Sequence, residues 1–154
     1  MQNETDNSQP QADNPGEQPT ARFIISEDGT EVTDNKTGLI WRRCAEGMTA
    51  SIDGCTGIPG VYDLEAALAL ANREAKATSQ AWRLPKVEEL SSIVDMRRKD
   101  PSIDTDVCPG TPGSAFFTSS PDGSISWFVS FYVGKVYSDY SQIPNHVRLV
   151  RSSY

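Results

Sequence analysis

The stretch "WRLPKVEEL", from Trp82 to Leu90, decides more of the fold than any other part of the sequence. Pro85 suits the first position of a helix, where a missing backbone N–H costs nothing. Glu88 and Glu89 follow in the first turn, where the helix dipole favours acidic side chains. We therefore predict a helix here, with an inward stripe formed by Val87, Leu90 and Val94.

Trp82 and Arg83 precede this helix, and two roles fit them. A guanidinium packed under a tryptophan needs a carboxylate or several carbonyls to satisfy its five donors. Such a pair suits a corner that holds the fold together, and it also suits a clamp for an anionic ligand. A single arginine supports the clamp only weakly, so we interpret the stretch as a structural corner.

Composition and charge divide the 154-residue chain into a tail and a body. Residues 1–21 are almost wholly polar, and we predict a disordered linker followed by a single domain at 22–154. Four of the net seven negative charges lie in the tail, which leaves three for the body. A mildly acidic body lacks the electrostatic footprint of a protein that binds nucleic acid or an anionic membrane.

The three cysteines indicate the cellular compartment. Cys44 and Cys55 bracket a loop with little apolar content, which a disulfide would stabilise. A lasting disulfide predicts an oxidising compartment. Zinc is the rival interpretation, but one histidine and one further cysteine, Cys108, give too few ligands at the wrong spacing. Cys108 is expected to be a buried free thiol, with an intermolecular bridge as the alternative.

The sequence has no apolar stretch long enough to span a bilayer and no visible signal-peptide core. A polar tail ahead of a domain is typical of an exported protein whose signal or lipid anchor has been removed. An ordinary cytoplasmic protein with a loose N-terminus is the alternative.

The order of predicted elements indicates an α+β fold. Two strands are expected within 22–43, and a helix within 61–79 begins after the N-cap Asp63. A long loop over 101–115 leads to three strand regions at 116–120, 126–140 and 146–153. Helical spacing places four residues on the inward face of the first helix: Leu64, Leu68, Ala71 and Ala75.

Few residues offer catalytic chemistry. His146 is the only histidine, and no G-x-S-x-G elbow or glycine-rich phosphate loop accompanies it, so a role in a turn is favoured over a catalytic base. Asp100, Asp104 and Asp106 cluster without the spacing of an EF-hand, so they are expected to cap turns, with calcium as the alternative. No other cofactor is expected.

Aromatic residues crowd the C-terminal half. Tyr132, Tyr137 and Tyr140 lie close in sequence to Trp127. If they share an exposed face, they form a platform for a sugar ring or a partner protein. The alternative is that strand alternation turns half of them into the core.

Several motifs together, in this order, resemble the Lcl C-terminal domain family, which is named for the C-terminal domain of the Legionella collagen-like adhesin. The resemblance covers roughly residues 30 to 152 and rests on "VTDNKTGLIWRRC" (32–44), the Cys-bounded loop, "EAALALAN" (65–72), "WRLPKVEEL" (82–90), "DPSID" (100–104), "FFTSSP" (116–121), "WFVSF" (127–131) and "VRLVR" (147–151).

This resemblance implies a C-type lectin-like fold, with two helices packed on a twisted antiparallel sheet with long loops. It also implies an exported bacterial protein that is periplasmic, tethered to the outer membrane or at the cell surface, often as a lipoprotein. Many members carry the Cys-bounded loop, which supports a Cys44–Cys55 bridge. Within the family, "WRLP" resembles a sequence signature of the structural scaffold. Structural roles are accordingly expected for Trp41, Trp82, Arg83 and Pro85.

Some features depart from the pattern. Family members often have phenylalanine at the position of Cys108, which here lies in "CPGTP". The calcium-and-sugar motifs of true C-type lectins are absent from this sequence. The leading hypothesis is a non-catalytic adhesion module that binds a glycan or a protein through Trp127, Tyr132, Tyr137 and Tyr140. A structural subunit of a cell-envelope or pilus assembly is the main alternative, and a hydrolase that uses only carboxylates is third.

Overall fold

The computed structural model describes residues 21–122 and 124–153. Apart from Ala21, the predicted disordered tail lies outside the described residues. The helices are α1 (Leu64–Thr78) and α2 (Val87–Ser91). The strands are β1 (Phe23–Ile25), β2 (Glu31–Asp34), β3 (Leu39–Arg42), β4 (Thr49–Ser51), β5 (Gly54–Thr56), β6 (Ala115–Asp122), β7 (Ile125–Ser130), β8 (Lys135–Tyr140) and β9 (Val150–Ser152).

The strands form three antiparallel sheets, in the orders β1-β2-β3-β9, β4-β5 and β6-β7-β8. The predicted α+β class is confirmed, but the expectation of one sheet is wrong. The segment 22–43 forms three strands rather than two, because Val32 pairs with Ile25 on one side and with Trp41 on the other. A strand between two partners satisfies its backbone groups on both edges.

Helix α1 begins as predicted, since the Asp63 carboxylate accepts a hydrogen bond from the backbone N–H of Ala66 at 2.8 Å. Its buried residues are Ala67, Leu70 and Ala71, whereas Leu68 is exposed. The predicted inward face is therefore wrong at Leu68. The two alanines lack bulk, so they let the helix axis approach the core closely.

Helix α2 begins later than predicted. Its N-cap is Lys86, whose backbone N–H donates to the Glu89 carboxylate at 2.8 Å. Pro85 is thus outside the helix, because the side chain of Glu89 fixes the start one residue after it. Of the predicted inward stripe, Leu90 is fully buried, and Val87 and Val94 are partly buried.

The "WRLP" corner joins the two larger sheets. Trp82 is buried, and two guanidinium groups lie near its ring, those of Arg42 at 4.5 Å and Arg151 at 5.1 Å. The backbone of Arg83 exchanges two hydrogen bonds with Val150, both at 3.0 Å. The carbonyl of Pro85 accepts the backbone N–H of Ser119 in β6 at 2.8 Å. These contacts connect β9 and β6 through the entry to α2.

The Arg83 side chain has the partner that its donors require. Its two terminal nitrogens lie 2.8 and 2.9 Å from the two carboxylate oxygens of Glu89. This bidentate pair raises the pKa of Arg83 and lowers that of Glu89, chiefly through the hydrogen bonds. The guanidinium is therefore engaged within the protein and leaves no clamp for an external anion.

The segment from Asn145 to Val150 runs between the sheets and pairs with both. Its backbone hydrogen bonds reach several separate parts of the chain: Asn145 pairs with Tyr62, His146 with Phe117 and Ala115, Val147 with Glu46, Leu149 with Arg42, and Val150 with Arg83. Strand β9 covers only Val150–Ser152, so most of the strand region predicted at 146–153 is not a regular strand. Arg148 lies between the buried residues Val147 and Leu149 and is itself fully buried.

The β6-β7-β8 sheet has a buried cluster on each face. Phe116 and Val129 pack on one side with Leu90, whereas Phe117 and Phe128 pack on the other side with α1. Facing pairs such as Phe117 and Phe128, with ring centroids 4.7 Å apart, extend across neighbouring strands. The sheet is thus held rigidly from both sides.

Cys44 and Cys55 form a disulfide with a Cα–Cα distance of 5.7 Å, as predicted. It closes the loop that carries the short β4-β5 hairpin. Cys108 is a buried free cysteine, as expected, and burial raises the pKa of its thiol.

Replacing both Cys44 and Cys55 by alanine should lower the free energy of unfolding by about 2–3 kcal/mol, because the unfolded chain regains the entropy of an open loop. Urea unfolding measures the loss. As a control, dithiothreitol should destabilise the wild type to a similar extent and leave the double variant unchanged. Equal stability of the oxidised wild type and the variant would contradict this prediction.

Candidate functional site

Strands β7 and β8 expose one apolar face. Trp127 lies opposite Ser138, Ile125 opposite Tyr140 and Val129 opposite Val136, so these residues project from the same side of the sheet. Four large side chains on this face are exposed: Ile125 (39%), Trp127 (40%), Val136 (42%) and Tyr140 (61%). We call these four residues the hairpin face.

The hairpin face is the open continuation of a buried surface. Val129 lies on the same side but is fully buried, in one cluster with Phe116 and Leu90 of α2. The cover ends before Trp127, so the apolar side of the sheet continues into solvent. A contiguous exposed apolar surface on a rigid sheet is typical of a binding site.

Only two of the four predicted aromatic residues meet on this face. Tyr137 lies opposite Phe128 on the other side of the sheet, with ring centroids 5.6 Å apart, and burial raises the pKa of its hydroxyl. Tyr132 lies in the turn between β7 and β8, where its carbonyl accepts the backbone N–H of Asp100 at 2.9 Å. The structure brings Trp127 and Tyr140 together and places the other two elsewhere.

The three aspartates of the long loop do not converge. The Asp104 carboxylate accepts the backbone N–H of Asp106 at 2.9 Å and so caps its own turn. The carbonyl of Asp106 lies 3.4 Å from an Arg43 nitrogen that donates to it. Among residues 21–122 and 124–153, no group of three or more His, Cys, Asp or Glu side chains is placed to hold a metal ion.

His146 is half-buried rather than exposed. Its Nδ1 lies 3.0 Å from the carbonyl oxygen of Gly60, and its ring centroid lies 5.4 Å from that of Phe116. Burial lowers its pKa, against the opposing effect of the Gly60 carbonyl. These contacts anchor the start of the segment that connects the sheets.

A buried carboxylate that the sequence did not reveal, that of Glu46, lies within the loop closed by the disulfide. Glu46 contacts Arg42 at 3.5 Å, and Arg42 also binds Glu74 at 2.9 Å. Burial raises the pKa of Glu46, and the charge of Glu74 adds to this effect, whereas Arg42 and Arg148 oppose it. Only its position two residues after Cys44 hinted at burial.

Glu46 should make stability depend on pH. Because its pKa is raised above the ordinary value of 4.5 in the folded state, the unfolded chain loses this proton first as pH rises. The stabilising contribution is therefore present below pH 4.5 and is lost as pH rises through the folded pKa. Replacing Glu46→Gln should remove this loss, so that the variant gains stability relative to the wild type between acidic and neutral pH.

Urea unfolding at a series of pH values measures this difference. Glu65→Gln, at an exposed position in the first turn of α1, serves as the matched control. If the wild type and Glu46→Gln give parallel curves of stability against pH, the assignment to Glu46 is wrong.

Residues 30–151 match the family model of the Lcl C-terminal domain, which covers most of the chain. No curated protein matches the sequence. In the part of the chain that the structure describes, no helix has the length and apolar character needed to cross a membrane.

Proposed function

The chain belongs to the Lcl C-terminal domain family, an adhesin-related family, and we propose that it is a non-catalytic, extracytoplasmic module that binds a glycan or protein ligand through the hairpin face. The family relationship and the Cys44–Cys55 disulfide favour an extracytoplasmic location and a role without catalysis. We further propose a C-type lectin-like fold and tethering by a lipid anchor upstream of the polar tail.

The exposed hairpin face is the observation that carries the proposal. Trp127 and Tyr140 combine a large apolar ring with a polar edge, which suits the faces of sugar rings and the apolar anchors of a protein partner. Ile125 and Val136 extend the apolar area beside them. The buried clusters on both sides of the sheet support the backbone that carries these side chains, which lowers the entropic cost of binding.

Assembly with other envelope proteins is the second candidate function. The two aliphatic members of the hairpin face favour it, because isoleucine and valine offer area for a protein surface but no stacking plane for a sugar. This candidate would use the same surface with a fixed partner. A glycan array and a pull-down from envelope extracts, performed in parallel, distinguish the two.

Replacing Trp127→Ala or Tyr140→Ala in the full chain should weaken ligand binding at least about tenfold, because each removes an anchor from the exposed face. Binding is measured by titration against the hit from the array or the pull-down. Leu68→Ala, which removes an exposed apolar side chain on α1, is the matched control and should bind as the wild type does.

A ligand whose affinity survives both substitutions would place the binding surface elsewhere on the domain. Turnover of any captured ligand would contradict the non-catalytic part of the proposal. A glycan signal lost with Trp127 supports adhesion, whereas a fixed protein partner without a glycan signal supports assembly.

A further inference from the structure

Strand β8 is the open edge of the β6-β7-β8 sheet, whereas the β6 edge is covered. On the β6 side, the backbone N–H of Phe117 donates to the carbonyl of His146 at 2.9 Å, and that of Ser119 donates to the carbonyl of Pro85 at 2.8 Å. Within the described part of the chain, no strand lies beyond β8, and every residue of β8 except Asp139 is exposed. Such an edge is a template for a further strand.

The register of β8 identifies the backbone groups that face away from β7. Ser141, one residue beyond β8, donates to the carbonyl of Ser124 at 2.8 Å. Hydrogen-bonded positions alternate along an antiparallel ladder, so the odd-numbered residues of β8 bond to β7. The N–H and C=O groups of Val136 and Ser138 therefore point outward, and no other group among the described residues forms a hydrogen bond with them.

The side chains of β8 are complementary to those of a second β8 that runs antiparallel to it. Lys135 lies two positions before Tyr137 and Asp139 two positions after it, so all three project from the same side of the strand. When Tyr137 lies on the two-fold axis, Lys135 of each copy is opposite Asp139 of the other copy. Side chains directly opposite each other have Cβ atoms about 4.5–5.5 Å apart, which is close enough for an ion pair.

The same register satisfies the outward backbone groups. It places Val136 opposite Ser138 of the second copy, and each such pair exchanges both of its N–H to C=O hydrogen bonds. Because the interface is two-fold symmetric, the pair occurs twice. The backbone and the charges thus select one and the same alignment.

Neither charge is committed to an ion pair within the chain. Among the described residues, neither Lys135 nor Asp139 has a salt-bridge partner. One oxygen of Asp139 accepts the backbone N–H of Tyr140 at 2.8 Å, which leaves the other oxygen available. Proteins commonly block a sheet edge with a proline, a bulge or a repelling charge. Strand β8 contains no proline and keeps an unbroken register with β7, and its charges favour pairing in this alignment.

We propose that two copies of this chain pair antiparallel through β8, with Tyr137 on the two-fold axis. Pairing joins the two β6-β7-β8 sheets into one continuous sheet. Opposite residues of an antiparallel pair project from the same side, so the hairpin faces of both copies adjoin on one side of the joint sheet. A ligand that spans both faces would gain affinity through avidity. That consequence rests on the proposed function, whereas the pairing does not.

Sedimentation equilibrium of the full chain at low ionic strength, up to millimolar concentration, measures the pairing. We expect a reversible dimer that weakens with added salt, because one added strand buries little area and the ion pairs are exposed to solvent. Lys135→Glu and Asp139→Lys should each raise the dissociation constant at least about tenfold, since each places like charges opposite each other. Lys36→Glu and Asp53→Lys, at exposed positions outside this sheet, make the same changes of charge and should dimerise as the wild type does.

Two further measurements test the alignment itself. An equal mixture of Lys135→Glu and Asp139→Lys should recover a heterodimer, because each acid then lies opposite a lysine. Ser138→Pro removes an outward N–H but no hydrogen bond to β7, and it should abolish the dimer. A wild type that stays monomeric at millimolar concentration, a dimer that survives Ser138→Pro, or a mixture that fails to recover pairing would overturn the proposal. None of these results depends on whether the hairpin face binds a ligand, which the titrations of Trp127→Ala and Tyr140→Ala test separately.

Discussion

The guanidinium of Arg148 is the contact on which the arrangement of the sheets depends. It is fully buried and donates to the carbonyls of Arg42 at 3.0 Å and Arg43 at 2.6 Å, and to the Thr111 hydroxyl at 2.7 Å. Its carbon also lies 5.6 Å from the ring of Phe116. A buried cation is costly unless its donors are satisfied, so the groups that bind the two terminal nitrogens must stay directed toward them. The Nε of Arg148 has no hydrogen-bond partner among the described residues. One side chain thereby joins the end of β3, the long loop and β6.

This clamp explains how a chain with a long irregular segment presents a rigid surface. Residues 92–114 contain no helix or strand, yet Thr111 is fixed by Arg148 and donates to the carbonyl of Cys108. Arg43 adds a second anchor through the carbonyl of Val107 at 3.1 Å. With the loop fixed on one side and α1 packed on the other, the β6-β7-β8 sheet has few ways to move. The hairpin face continues this supported sheet into solvent.

The sequence sufficed for features that local chemistry determines. Asp63 caps α1 because its carboxylate accepts the free backbone N–H three residues later. This hydrogen bond does not depend on what the helix packs against. The disulfide followed from the composition of the loop between the two cysteines, and the α+β class from the order of elements. These predictions needed no knowledge of how distant segments meet.

Two features could be known only from the tertiary structure: the burial of Arg148, and the placement of Tyr137 and Tyr140 on opposite faces of the sheet. An arginine between apolar residues is typical of a strand with one solvent face, but the segment before β9 contacts neighbours on every side. Tyr137 and Tyr140 differ by three positions in β8 and so point to opposite faces, which the sequence reveals only once the strand is known to extend through both. For Glu46, the only signal in the sequence is its position two residues after Cys44, since distant residues such as Val147 bury it.

The most direct test of the Arg148 clamp is the coupling free energy between Arg148→Met and Thr111→Val in a double-mutant cycle, measured by urea unfolding. We expect a coupling of about 1 kcal/mol or more, because Thr111→Val removes a partner of Arg148 only while the guanidinium is present. Thr111→Val should therefore cost clearly less in the Arg148→Met background than in the wild type. An equal cost in both backgrounds would contradict the claim that this contact fixes the long loop to the sheets.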